Sequence, residues 1–189
     1  MIQNTLVYWL AVEISGLTHI FCERYIDKRS RTFDQMIQAD RSGKQNIVEG
    51  SLENSTESNL KLTGVARASY GELIEDFRDF LWKKGLPVWN KDDPRVMSIR
   101  RKLIDIHETH VSHDAQKWYV SHGTHESHES HVIFFDNPEA FANLMISLCT
   151  KQGFLLDRFL KGIKERFIRE GGFRERLFQE RRQYHAKNH

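Results

Sequence analysis

Seven of the ten histidines lie between His107 and His131, and their spacing is regular. His107, His110 and His113 recur every third residue, and so do His122, His125, His128 and His131. On a helix, imidazoles at i and i+3 share a face and could hold zinc or nickel when deprotonated. His122, His125, His128 and His131 are therefore the candidate metal ligands. Against that, Ser127-His128-Glu129-Ser130-His131 has a low-complexity look, no cysteine assists, and neither His-Glu-x-x-His nor a Glu-x-x-His pair is present. A solvated, variable loop is the plainer reading, and no cofactor is expected.

Basic residues make the second pattern. Lys151, Arg158, Lys161 and Arg169 fall within a narrow arc at about 100° per residue, with Glu165 among them. Arg174, Arg176, Arg181, Arg182 and Lys187 continue the charge. From Lys151 onward there are eleven Lys/Arg against five Asp/Glu, whereas residues 1–150 carry 17 against 21. The net charge of +2 thus hides an acidic body and a basic C-terminal part. Such a surface neutralises phosphates without reading sequence, so RNA or DNA is the expected partner. Lys and Arg also solvate ordinary surface helices.

A third set, Asn46, Glu49, Arg67 and Glu72, contains two carboxylates but neither a nucleophile nor a second base. It reads as a polar network that fixes helix register rather than as an acid/base pair. The small residues Ala39, Gly43, Gly50, Gly64, Ala68 and Gly71 mark expected close helix contacts. No catalytic signature is present, and an enzyme is not expected.

These residues need long helices to position them. Leu6, Leu10, Leu17, Phe21 and Tyr25 stripe a first helix over Thr5 to Lys28. The stretch Thr32 to Leu86 reads as a helical hairpin: one helix closing near Gly50, then a Ser55-Thr56-Glu57 start. Its second helix carries Leu60, Leu62, Val65, Ala66, Leu73, Ile74, Phe77 and Leu81 and stops at Gly85. Asp93-Pro94 opens a shorter helix to about Thr109, followed by a loop with one aromatic island at Trp118-Tyr119. Asn137-Pro138-Glu139 opens the last long helix, which ends at Gly171-Gly172 before a basic amphipathic tail. Residues 1–86 would supply three helices, 87–136 an insertion, 137–172 the fourth helix and 173–189 the tail.

The runs Asn46-Ile47-Val48-Glu49-Gly50 and Ala68-Ser69-Tyr70-Gly71-Glu72-Leu73 resemble the four-helix-bundle family of the ribosomal RNA intervening-sequence proteins. Arg24 to Thr32 and Arg169 to Arg176 resemble its subgroup with a four-helix-bundle suffix domain. The accessory variability protein of diversity-generating retroelements is similar in fold. The likeness spans Trp9–Leu86 and Asn137–Leu177 and departs from the family pattern at Ser42-Gly43-Lys44. It implies an antiparallel bundle, homo-oligomeric and without known enzymatic activity; likeness to the accessory protein implies a ring of about five subunits.

Cys22 and Cys149 fall among apolar neighbours, which suits buried free thiols in a reducing cytoplasm. The apolar opening Leu6 to Val12 lacks a basic residue before it, and Glu13 cuts it short of the ~20 residues of a membrane span. The expectation is an all-α protein: an antiparallel up-down four-helix bundle with an inserted short helix and His-rich loop between helices 3 and 4. It is non-catalytic, cytoplasmic and homo-oligomeric, with no membrane partner, and binds RNA or DNA. The alternative is a module in which the insertion helix, Trp118-Tyr119 and the basic tail dock a partner protein.

Overall fold

Four helix starts are each fixed by a short polar side chain that accepts one of the amides left unpaired in a first turn. In the computed structural model, which describes residues 5–99 and 135–187, Thr5 accepts from Tyr8 at the head of α1 (Leu6–Tyr25). Ser30 accepts from Phe33 at the head of α2 (Arg31–Leu52), and Ser55 from Ser58 at the head of α3 (Thr56–Lys83). Asn137 accepts from Ala140, and Pro138, which has no amide to satisfy, begins α4 (Pro138–Glu170). A final helix, α5, runs Phe173–Lys187. The described residues contain no strand, so the fold is all-α.

Glycine ends two of these helices. After α3, Gly85 takes φ +66°, the Leu86 amide donates to Leu81 O and the Gly85 amide to Trp82 O. Those two bonds close a Schellman motif, which an L side chain at Gly85 would strain. Gly171, with φ +73°, separates α4 from α5. α1 stops at Tyr25, three residues before the expected Lys28, because the Ser30 amide turns back onto Asp27 O and the Arg29 amide onto the Asp27 carboxylate.

α1 packs against α2 and α4, and α3 against α2 and α4. Phe21 centres the apolar interior: its ring meets Phe77, Phe80 and Phe141 nearly edge-on at centroid distances of 4.9, 4.9 and 5.3 Å. Edge-to-face rings add attraction to their area burial, so this cluster joins α1, α3 and α4 strongly. Leu73, Phe77 and Leu156 are fully buried, as the helical stripes require. Val65 departs from its expected burial at 40 % exposure. Beside it Ala39 and Ala68 are too short to fill the space between α2 and α3, leaving a groove of about 770 Å³.

The small residues divide. A methyl group at Gly43 would approach the Tyr70 ring to 2.9 Å and one at Gly50 the Leu62 side chain to 3.3 Å, so both are close contacts. Gly64 faces open space and Ala68 is exposed. Cys22 and Cys149 are buried free thiols; burial pushes Cys22 up to about 12 and Cys149 further. Among the described residues α1 is the one helix long and apolar enough to cross a membrane, and half of that stretch is buried against the other helices.

The insertion is described only in part, with a helical stretch at 94–99. The rest of the expected 94–109 helix, the loop with Trp118-Tyr119, and His107 to His131 lie outside the described residues.

Candidate nucleic-acid interface

Gln152 marks where α4 changes character. Its Nε2 donates to Val7 O in the first turn of α1 at 2.8 Å, so α1 begins level with the middle of α4. Beyond that level α4 keeps α3 beside it, with Arg67 on Asp157, and the Gln152 side stays covered at Leu156 and Ile163. From Asp157 to Arg169 only Ile163 is buried, and Arg158, Lys161 and Arg169 of the expected basic stripe are exposed on another face of the helix.

Phe154 heads the stripe at 55 % exposure. The Lys151 ammonium and the Arg158 guanidinium each stand 5.9 Å from its ring centroid. An exposed ring held between two cations offers a flat apolar face beside positive charge. Lys161 and Arg169 are exposed further along, and Glu165 pairs with Lys161 at 3.9 Å. Asp157, the stripe's other carboxylate, accepts from Arg67 Nε of α3 at 3.0 Å. Gly153 makes room for that reach, since a methyl there would meet the Arg67 guanidinium at 3.2 Å.

α5 extends the charge. Arg174, Arg181 and Arg182 are exposed on it, and Arg176 and Lys187 lie along it. Phe173, Leu177, Phe178 and Tyr184 are also exposed, at 45, 44, 63 and 68 %. At about 100° per residue, Phe173, Leu177 and Tyr184 share one stripe, with arginines flanking it. The turn before α5 is fixed by the Gly172 amide, which donates to Glu175 Oε2 at 2.6 Å.

The opposite groove has the other sign. Asp34, Glu72 and Asp76 line it between α2 and α3, with Arg31 the one cation there. Burial raises the Asp76 pKa, and Asp79 and Glu72 raise it further. The acidic body and basic C-terminal part seen in the sequence thus separate onto different faces.

Asn46, Glu49, Arg67 and Glu72 are not brought together as one network. Asn46 Nδ2 donates within its own helix to Ser42 O at 2.8 Å, and Glu49 is exposed. Glu72 faces the acidic groove. Arg67 points to α4 because it lies two positions after Val65, about 200° around the helix. The polar contacts of α2 run elsewhere. Ser69 Oγ of α3 meets Ser42 Oγ at 3.0 Å, and Ser15 Oγ of α1 donates to Asp40 Oδ2 at 2.7 Å. Lys44 Nζ donates to Ser15 Oγ at 3.0 Å, and His19 Nδ1 stands 3.8 Å from Asp40.

Asp40 is fully buried, which its place in the sequence does not show. Burial raises its pKa, while Ser15, Lys44 and His19 pull it back. Among the described residues its Oδ1 and Thr18 Oγ1 have no hydrogen-bond partner. Asp40 stands five residues before the Gln45-Asn46 run, and an isolated aspartate in a mostly polar helix carries no signal of burial.

The proposed metal ligands His122, His125, His128 and His131 lie outside the described residues. Among the described residues no group of three or more His, Cys, Asp or Glu side chains could hold a metal ion. Comparison with family models, with curated proteins and with solved structures found no match.

Proposed function

We propose that the protein is a non-catalytic nucleic-acid-binding module built as an antiparallel up-down four-helix bundle, with the second half of α4 and α5 as its binding arm. The observation that carries this is the alternation of cations with exposed aromatic rings: the half-buried Lys151, then Phe154, Arg158 and Lys161 on α4, and Phe173, Arg174, Phe178, Arg181, Arg182 and Tyr184 on α5. Cations neutralise phosphates, and rings give unpaired bases something to stack on, so the arm suits single-stranded RNA or DNA best. Family membership with the intervening-sequence proteins, assembly into a homo-oligomer and a cytoplasmic site of action belong to this same reading and rest on the sequence likeness.

Filter binding of a single-stranded RNA across a salt series tests it. Affinity should fall with rising salt, and Arg158→Glu with Lys161→Glu should lower the slope of log affinity against log salt by about 1 for each phosphate no longer neutralised. Absence of binding at low salt removes the reading. A second reading, docking of a partner protein, draws on the exposed Phe173, Leu177 and Tyr184 stripe. Nuclease-resistant capture of one defined partner that disappears when residues 173–189 are deleted would favour it.

A further inference from the structure

A concavity of about 550 Å³ lies where the end of α3, the 88–96 segment and the middle of α4 meet. Small-molecule sites usually occupy roughly 300–1,000 Å³, so the size is apt for one. We propose that it binds a small amphipathic anion, a carboxylate carried on an alkyl or flat aromatic body. The inference does not rest on the nucleic-acid reading, although Lys151 and Phe154 belong to both surfaces.

Charge is the first argument. Arg78, Lys91 and Lys151 line the concavity, and among the described residues no acidic one does. Arg78 is shared with the exposed Glu75 at 2.6 Å, whereas Lys91 and Lys151 have no carboxylate partner among the described residues. Cations of one sign in a cleft with apolar walls focus a positive potential into it.

The walls are the second argument. Val88, Val96, Ile146 and Phe154 supply apolar surface, and Val88 and Phe154 remain 47 and 55 % exposed beside the cleft. A phosphate backbone crossing the rim would leave that surface wet. A hydrocarbon body would cover it.

Rigidity is the third. Asn143 is 2 % exposed and clamps the 87–89 segment to α4: its Oδ1 accepts from the Trp89 amide at 2.8 Å and its Nδ2 donates to Pro87 O at 3.0 Å. Trp89 Nε1 donates to Glu139 at 2.6 Å, and the Arg95 guanidinium stacks 3.8 Å from the Trp89 ring. One wall is therefore held in place before any ligand arrives, which spares the ordering cost of binding.

Calorimetric titration of the full chain with decanoate, decanol and inorganic phosphate tests the proposal. Decanoate should bind at one site, about tenfold or more tighter than decanol, while phosphate alone gives no saturable heat. Thr150→Trp places a large ring in the cleft from an exposed helix position, and should abolish decanoate binding with the thermal midpoint unchanged. Lys91→Gln with Lys151→Gln should weaken decanoate about tenfold and leave decanol unaffected. Equal affinity for decanol and decanoate, or full decanoate binding by Thr150→Trp, would overturn it. Failure of the chain to bind RNA alongside retained decanoate binding would remove the nucleic-acid reading and leave this one standing.

Discussion

Between Phe141 and Cys149, seven of nine residues of α4 are buried; between Asp157 and Arg169, Ile163 alone is. Both halves belong to one uninterrupted helix of 33 residues, about 50 Å long at 1.5 Å per residue. What differs is the company each keeps. The first half faces Phe21, Tyr25 and Phe80 across the aromatic cluster. The second half lies past Gln152, where α1 has reached its first turn. The second half keeps α3 beside it, with Arg67 on Asp157, but the surface left exposed there is rich in Lys and Arg, a composition that solvates a helix and raises a positive potential around it.

Four experiments would break or sharpen that contrast. Phe21→Ala removes the ring shared by three helices and should cost about 3–5 kcal/mol of unfolding free energy, read from urea titration. A loss near zero would mean that the first half is not what holds the fold. Gly43→Ala pushes a methyl into Tyr70 and should cost about 1–3 kcal/mol in the same assay, recovering in part when Tyr70 is also shortened to Leu.

Asp40 gives a pH dependence. Its pKa is raised in the folded state, so folding favours the protonated carboxyl. Stability from this group is greatest below the ordinary aspartate range and declines as pH rises from there toward the raised value. Asp40→Asn should remove that decline, so the stability difference, wild type minus variant, should fall between acid and neutral pH. A difference that grows with pH would show that Ser15, Lys44 and His19 outweigh burial. The smallest effect on stability is expected at this exposed basic surface. Deletion of residues 173–189, or Arg158→Glu, should shift unfolding free energy by no more than about 0.5 kcal/mol while RNA binding drops.

How far these features can be read from the sequence follows from their range along the chain. Ser55 before Thr56, Asn137 before Pro138 and Gly85 after Lys83 are local signals, and each marks a helix end within a residue or two. The buried stripe of Leu73, Phe77 and Leu81 is equally local because helical periodicity alone sets it. Arg67 and Asp157 are 90 residues apart, and Trp89 and Asn143 are 54 apart. Nothing in either neighbourhood names the other. The residue type of Arg67 shows that a partner is needed and not where it stands, so the expected neighbours on α2 give way to Asp157 on α4. Val65 has the spacing of a core position; the shortness of Ala39 and Ala68 leaves it uncovered.

The two cysteines carry a practical consequence. Both thiols are buried, and burial pushes their pKa well above the ordinary cysteine range, so little thiolate is present at neutral pH. Maleimide reagents should therefore pass the native chain by. A cysteine placed at Leu177 would take a dye or spin label selectively, so distances from the last helix could be followed with no background to subtract.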